Sequence, residues 1–335
     1  MATDAAGNLY FVDLWLGNSS TAVSHDSGNS WLGQPFGTVP IQDRPWVSAD
    51  PRPGHPGIVY SVTEQLGTAL WLSRSVVNNP LAGAVYPLST PEITTVQRGF
   101  VGTAPPGNLV TDMHGTTYNV YSTFTGTAPG QHGVGISSLP TGGTTTTNTS
   151  VTPADGSYDT TQNFPVVAVD NVADNNVYVV WTDPTPTSWN IRFADSTDGG
   201  KTWSNAVTVG QGVYPWVTAD AQGKVDIAWY SAAPTYTGDP NNAPAGTQWN
   251  VAFAQSVNAT SSTPTFTAPD TAAANIKSGA ICTQGTGCSA DRELGDFMSI
   301  AHDAVGNALI AFATVPSSGH SNIEFTKQTS GNTIG

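Results

Sequence analysis

Positive charge is scarce in this sequence. Its 335 residues include 10 Lys and Arg against 24 Asp and Glu, which gives a formal net charge of −14. Nucleic acids and anionic membrane surfaces bind clusters of basic side chains, so this balance argues against both as partners. No run approaches the roughly 20 apolar residues of a membrane-spanning helix, and membrane insertion is not expected. The first residues lack the basic and apolar regions of a secretory signal, which is expected to be absent or already removed.

Cysteine is also rare. The two cysteines, Cys282 and Cys288, are separated by five residues that include two glycines. The pair could close a disulfide loop or bind a metal, but a tetrahedral zinc site needs two more ligands and no neighbouring Cys or His offers them. The spacing therefore favours a disulfide. A disulfide indicates an oxidising compartment, so we expect a secreted or extracellular protein, which could be held at a cell surface.

Sustained helical periodicity is missing, whereas turn-forming and aromatic residues are abundant, with 35 Gly, 24 Pro and 10 Trp. This composition favours short strands. One hairpin pattern recurs six times: an aspartate ends a short segment, a turn follows, and an apolar strand comes next. The six aspartates are Asp4, Asp50, Asp112, Asp170, Asp220 and Asp303.

A third strand-like segment follows each hairpin, and a fourth often follows that. Six such units predict an all-β fold, a six-bladed β-propeller with four-stranded antiparallel blades in a single domain. The approximate blades are 1–40, 41–100, 101–155, 156–210, 211–272 and 273–335. Few residues follow the third strand of the last blade, so we expect an incompletely closed ring that can gain an edge by strand exchange or assembly with a partner.

Two segments, residues 24–31 and 196–203, share the pattern Ser-x-Asp-x-Gly-x-x-Trp just after a third strand. In such a turn the carboxylate can accept backbone N–H groups, glycine relieves the backbone, and tryptophan packs into the blade. The pattern resembles the Asp-box, or BNR repeat, of bacterial sialidases and related propellers. The resemblance implies a sialidase-like β-propeller and a structural role for eight residues: Ser24, Asp26, Gly28, Trp31, Ser196, Asp198, Gly200 and Trp203.

The resemblance also implies a site at the funnel, the mouth of the ring where the innermost strands begin. Asp43-Arg44-Pro45-Trp46 is similar to the arginine-proline segment of sialidases, and Asp291-Arg292 repeats the Asp-Arg pair in the last blade. A sialidase holds the carboxylate of its sugar with three arginines. Arg44 and Arg292 would belong to such a clamp, and Arg98 could be the third. The alternative is that both Asp-Arg pairs are structural salt bridges between blades.

A hydrolytic member of this family uses a tyrosine nucleophile, a glutamate that assists it, and an aspartate as acid/base. The predicted topology brings several suitable residues to the funnel without choosing among them. The candidates are Tyr214 or Tyr236 as nucleophile, Glu64 or Glu293 as its base, and Asp43 as acid/base. A two-carboxylate glycosidase is the alternative, with Asp43 opposite Asp296 or Glu293.

Two tryptophans and one polar turn suggest ligands. Trp189 and Trp249 each follow a polar loop and could stack on sugar rings. Residues 170–176 carry oxygen ligands for Ca²⁺, although they also fit an ordinary polar turn; no other cofactor is expected. The sequence thus predicts a secreted sialidase-like propeller that acts on a glycan or glycoconjugate as an exo-glycosidase. The alternative is a non-catalytic glycan-binding, adhesion or assembly propeller.

Overall fold

The computed structural model describes residues 1–15, 18–35, 42–65, 69–76, 92–96, 106–124, 132–152, 163–185, 187–233, 236–315 and 319–335. These residues form antiparallel sheets and two short 3-10 helices, Pro240–Asn242 and Gly285–Gly287. In the described parts of the chain, no helix has the length and apolar character needed to cross a membrane.

The first three sheets follow one another along the chain. The first contains β1 (Ala2–Thr3), β2 (Leu9–Trp15), β3 (Asn18–Ser24) and β4 (Leu32–Pro35). The second contains β5 (Gln42–Ala49), β6 (Ile58–Gln65), β7 (Ala69–Val76) and β8 (Glu92–Val96). The third contains β9 (Pro106–Thr111), β10 (Thr117–Phe124), β11 (His132–Leu139) and β12 (Thr147–Ser150).

Three more sheets complete the set. The fourth contains β13 (Val166–Val169), β14 (Val177–Pro184), β15 (Trp189–Ser196) and β16 (Val207–Gln211). The fifth contains β17 (Val213–Ala219), β18 (Val225–Ala233), β19 (Gln248–Ser256) and β20 (Asp270–Ser278), so it runs past residue 272, the predicted end of that blade. The sixth contains β21 (Ser299–His302), β22 (Ala308–Thr314) and β23 (Asn322–Lys327), three strands among the described residues, at the three segments predicted for this blade.

The first strands of successive sheets lie side by side around a central axis. Contacts join β1 to β5, β5 to β9, β9 to β13, β13 to β17 and β17 to β21. Residues from all six of these inner strands line an axial channel of about 320 Å³. The arrangement is a six-bladed β-propeller, which confirms the prediction from the repeats.

The recurring aspartates hold the hairpin at the end of an inner strand, on the side away from the funnel. Oδ1 of Asp4 accepts the backbone N–H groups of Ala6 and Asn8, each at 3.0 Å. Oδ2 accepts the hydroxyl of Tyr10 at 2.8 Å and the N–H of Gly57, in the next sheet, at 3.0 Å. A buried carboxylate is stable when several donors satisfy it, and here one donor belongs to the neighbouring blade. The aspartate therefore ties two blades together.

The two Ser-x-Asp-x-Gly-x-x-Trp segments form matching turns after β3 and β15. In the second, Asp198 Oδ1 accepts the N–H groups of Lys201 and Thr202 at 3.0 and 2.9 Å. The indole N–H of Trp203 donates to the carbonyl of Gly200 at 3.1 Å. The first turn repeats the indole bond from Trp31 to Gly28 and the carboxylate cap by Asp26. Both turns follow the end of a third strand, on the side of the ring away from the funnel.

Apolar side chains are buried between the blades. The described residues contain five buried clusters, and each is built from two successive sheets. None of these five joins the sixth sheet to the first. The sheets that flank this last junction, the seam, carry exposed apolar residues: Phe11 and Leu14 in β2, and Ile323 and Phe325 in β23. Burial of apolar surface thus stabilises five junctions more than the seam.

Candidate functional site

Two inner strands begin with the same unusual backbone. Arg44 in β5 and Tyr214 in β17 each precede a proline and have positive φ angles of 47° and 53°. Each also lies at a shift of the strand register. A bulky residue with positive φ is strained, and strained bulges are concentrated at functional sites. Both residues lie at the funnel.

Two arginines from distant parts of the chain converge on one carboxylate. Nη2 of Arg44 lies 3.2 Å from Oδ2 of Asp296, and Nη2 of Arg292 lies 2.8 Å from the same oxygen. Asp296 is buried, Arg44 is mostly buried, and Arg292 is the more exposed of the two arginines. Nη1 of Arg44 is buried and has no hydrogen-bond partner in the structure. Asp296 therefore orients both guanidinium groups and leaves a buried donor for another acceptor.

The aspartate that precedes each arginine bonds elsewhere. Asp43 accepts the backbone N–H of Arg44 at 2.7 Å, and Asp291 lies 3.6 Å from the ammonium of Lys277. The ion pair that links the second and sixth blades is instead the one between Arg44 and Asp296. Arg44 thus bridges two blades and also keeps one buried donor without a partner, so the two interpretations of its role are compatible.

Tyr214 lies in the same charged neighbourhood. Its side chain is 4% exposed, and its hydroxyl donates to the carbonyl of Cys282 at 3.4 Å. Burial raises the pKa of Tyr214, the Asp296 carboxylate raises it further, and the guanidinium groups of Arg44 and Arg292 lower it. The net shift is upward. The phenol is therefore neutral near pH 7 and needs a base in order to act as a nucleophile.

Aromatic side chains surround the arginines. The ring centroid of Trp46 lies 5.6 Å from those of Phe164 and Trp216, and 5.5 Å from that of Phe297. The guanidinium carbon of Arg44 lies 5.0 Å from the centroid of Phe164, which is a cation–π distance. Phe297 is 48% exposed. An exposed ring beside fixed charges can stack on the apolar face of a sugar while the charges take its polar groups.

The disulfide predicted between Cys282 and Cys288 is present. The N–H of Cys282 donates to the carbonyl of Asp291 at 2.8 Å, and the N–H of Thr283 donates to Oδ1 of Asn241 at 2.8 Å. These bonds join the disulfide loop to the segment that leads into Asp296 and to the loop that follows β18. The loop supports one wall of the funnel.

No family model and no curated protein sequence matches this chain. Solved structures do match it. The leech intramolecular trans-sialidase has a TM-score of 0.54 at 10% identity, covering 98% of this chain and 67% of that chain. A Hadza microbial sialidase has a TM-score of 0.53 at 14% identity, covering 97% and 64%. An α-L-arabinofuranosidase from Fusarium graminearum has a TM-score of 0.51 at 12% identity, covering 96% and 89%.

The fold of this chain is similar to the β-propellers of these solved sialidase structures. The resemblance expected from the two Ser-x-Asp turns is therefore confirmed for the architecture. This propeller spans about two thirds of the length of the two sialidases. At such low identities the likeness concerns the fold alone, so the chemistry of this propeller must be argued from its own funnel.

The carboxylates and the second tyrosine proposed from the sequence lie in different surroundings. Glu64 is buried and lies opposite Asp43 in the register of β5 and β6, so the structure brings these two together. Glu293 lies 3.2 Å from the Lys277 ammonium. Burial raises the pKa of Glu293, but a hydrogen bond from the backbone and the Lys277 ammonium lower it more, so the net shift is downward. The hydroxyl of Tyr236 donates to the carbonyl of Asp239, within its own loop, at 3.1 Å.

The three residues proposed to bind sugar also differ in their surroundings. Trp249 is 1% exposed, and its indole N–H donates to the carbonyl of Gly279 at 2.7 Å. It packs in the core, where it offers no face to a sugar. Trp189 is half-buried against the cluster that contains Trp249 and Tyr214. Arg98 lies outside the described residues.

Sequence reasoning missed Phe164 and Phe297. A repeated signal could have found the first, because Phe164 precedes a proline just before β13, as Arg44 and Tyr214 precede prolines at their inner strands. A residue before proline is kept in non-helical conformations, which suits a turn of the chain into the funnel. No comparable pattern marks Phe297, which simply follows Asp296.

Proposed function

We propose that this propeller binds an acidic glycan in its funnel and hydrolyses the glycosidic bond, as a secreted sialidase-like exo-glycosidase. The observation that carries the proposal is the convergence of Arg44 and Arg292 on Asp296, with the buried Nη1 of Arg44 left as a donor. Guanidinium groups bind carboxylates with paired, charge-assisted hydrogen bonds. The names of the similar structures, sialidases and an arabinofuranosidase, also favour a carbohydrate substrate.

Each funnel residue has a role in this proposal. Arg44 and Arg292 hold the carboxylate of the sugar. Tyr214 attacks the anomeric carbon and its proton passes to Asp296, the carboxylate that most strongly affects the pKa of Tyr214. Asp43 protonates the departing glycosidic oxygen as that carbon–oxygen bond breaks. Water then attacks the anomeric carbon of the glycosyl-tyrosine and gives a proton to Asp43, while the bond from that carbon to the tyrosine oxygen breaks. Asp296 returns its proton to the phenolate, so the sugar is released and both carboxyl groups and the phenol regain their starting states.

Two further features support the setting of this proposal. The disulfide fits a protein that works in an oxidising compartment, which favours secretion. We interpret the turns at residues 24–31 and 196–203 as Asp-boxes, because the side chains of Asp26 and Asp198 cap their turns with the same bonds. Both turns serve the fold and take no part in the reaction.

A panel of fluorogenic glycosides tests the proposal. It includes a sialoside, uronides and neutral sugars, and each assay is run with and without chelator. We expect release from a carboxylated sugar, with a loss of about 100-fold or more in kcat/KM for Arg44→Ala and Arg292→Ala. Arg192→Ala is the matched control, because Arg192 lies in β15 and bonds to Thr208 and Ala206. Full turnover in folded Arg44→Ala and Arg292→Ala variants would reject the clamp.

Glycan binding without catalysis is the second candidate, and the burial of Tyr214 favours it. A phenol that is 4% exposed with a raised pKa is a poor nucleophile until the substrate reaches it. This candidate would be supported if no glycoside of the panel is hydrolysed, calorimetry shows that the protein binds an acidic oligosaccharide, and Arg44→Ala abolishes that binding. Absence of both turnover and binding would reject both functions. Strand exchange at the last blade stays a prediction, which the oligomeric state measured by light scattering can test.

A further inference from the structure

The turn after β13 differs from the equivalent turns of other blades. In four hairpins, Oδ1 of the aspartate that ends the inner strand accepts two donors from the turn that follows it. These aspartates are Asp4, Asp50, Asp112 and Asp303. Asp170 occupies the same position in the fourth blade and is 1% exposed, yet its Oδ1 has no hydrogen-bond partner. A buried carboxylate oxygen without a partner is costly and requires an explanation.

A second acid in the turn explains the missing donors. Asp170 and the tyrosine that donates to it, Tyr178, are 8 residues apart, whereas Asp4 and Tyr10 are 6 apart. The turn after Asp170 contains Asp174, whose Oδ1 accepts the N–H of Asn176 at 2.9 Å. In the first blade the equivalent N–H, that of Asn8, donates to Asp4 itself.

The two carboxylates of this turn lie side by side. The side-chain amide of Asn176 donates to Oδ2 of Asp170 and to Oδ2 of Asp174, each at 2.9 Å. The buried Asp170 carboxylate and the half-buried Asp174 carboxylate thus lie close together. Two adjacent carboxylates repel each other unless a cation or a proton neutralises them.

We propose that residues 170–176 bind a divalent cation of the calcium type through the bare Oδ1 of Asp170 and the carboxylate of Asp174. Ca²⁺ takes six to eight oxygens in adaptable geometry, including amide and backbone carbonyls and water, so asparagine and backbone oxygens of the turn complete the shell. The described residues contain no group of three or more His, Cys, Asp or Glu that could hold a metal. With only two carboxylates, the site has a Kd of about 0.1–1 mM, as in extracellular calcium modules.

The position of the site indicates what the cation does. Asp170 follows the end of β13, whereas the funnel lies where the inner strands begin. Oδ2 of Asp170 accepts the N–H of Gly223 at 3.0 Å, and the N–H of Asn171 donates to the carbonyl of Asp220 at 2.7 Å. Gly223 and Asp220 belong to the fifth blade. The cation therefore stabilises the junction of the fourth and fifth blades, and this inference is independent of the proposed glycan chemistry.

Calcium titration of the chelator-treated protein tests the site. We expect one binding event by calorimetry, and a rise in Tm of about 2–4 °C at a Ca²⁺ concentration of about 10 mM, well above the expected Kd. Asp174→Asn should lose both effects while its side-chain oxygen still caps Asn176. The control Asp270→Asn alters an exposed aspartate that accepts the N–H of Thr271, and it should keep both effects.

Two results would overturn the cation site. One is wild-type protein that shows no heat of binding and no change in Tm with Ca²⁺, a measurement that does not depend on the folding of any variant. The other is an Asp174→Asn protein that binds Ca²⁺ with the same heat and the same rise in Tm as wild type, which would show that the Asp174 carboxylate does not hold the cation.

Discussion

Asp226, in β18, is a fully buried carboxyl group whose two oxygens differ. Its Oδ1 accepts the side-chain amide of Gln255 at 2.7 Å, whereas its Oδ2 has no hydrogen-bond partner. Burial raises the pKa of Asp226 to about 7. The folded protein thus binds the proton more tightly than the unfolded chain, whose aspartates have a pKa of about 3.9. Folding stability from this residue is therefore lost as the pH rises from about 4 to above 7.

Asp226→Asn should remove this pH dependence, because asparagine keeps the acceptor for Gln255 and carries no charge. We expect the free energy of unfolding to exceed that of wild type by roughly 1–3 kcal/mol at pH 8, with the difference approaching zero near pH 4. Urea denaturation at the two pH values measures it. The exposed Asp270 gives the matched control, since Asp270→Asn should change little at either pH. Equal stability of Asp226→Asn and wild type at pH 8 would contradict the argument.

Single residues were also where sequence reasoning reached its limit. The repeats place Arg44 and Arg292 at the starts of inner strands, and the structure brings both to the funnel. The bridging role of Asp296 could not be predicted, because Asp296 meets Arg44 across 252 residues and no local pattern encodes that distance. The burial of Trp249 was missed because alternation along a strand does not reveal which face of a blade is covered.

The turn at residues 196–203 shows how an element depends on one side chain. Burial is the largest single effect on the pKa of Asp198 and raises it, but four hydrogen bonds together outweigh burial and lower the pKa to about 2. The donors are the hydroxyl and N–H of Thr202, the hydroxyl of Ser196 and the N–H of Lys201. The ionised carboxylate thus caps the turn that connects β15 to β16. Because the folded-state pKa is lowered, this contribution is present above the unfolded pKa and is lost as the pH falls through about 2.

Asp198→Ala should destabilise the propeller by about 1–2 kcal/mol at pH 7, through the loss of hydrogen bonds to exposed turn donors. The difference from wild type should shrink as the pH falls below about 4. Thermal or chemical unfolding of the purified variant measures the loss. Lys201→Ala is the control, because Lys201 contributes its backbone N–H to the turn. An Asp198→Ala variant as stable as wild type at pH 7 would show that the carboxylate does not support the turn.

At the scale of the whole molecule, the repeated aspartates and alternating strands predicted six blades because each blade is specified locally. The short outer strand of each blade was less predictable. Outer strands such as β12 are polar and exposed, so they lack the apolar alternation that marks a buried strand.

The seam is expected to be the least stable junction of the ring, since none of the five buried clusters spans it. Amide hydrogen exchange should therefore be faster in β21 and β23 than in β14 and β18, by about 10-fold or more. Exchange measured by mass spectrometry on the native protein, with peptides from β14 as the internal reference, tests this expectation. Equal protection in all six blades would mean that the seam is as tightly closed as the other junctions.

The bonds from Asp4 to Gly57 and from Asp170 to Gly223 each fasten one blade to the next at the rim opposite the funnel. The last residues also reach across a junction, because the carbonyl of Ile334 accepts the N–H of Ala221. When a force pulls on the two ends of the chain, these hydrogen bonds between blades bear the load one after another. Under tension the ring would therefore lengthen in a series of small steps, each releasing one blade, and not in a single rupture.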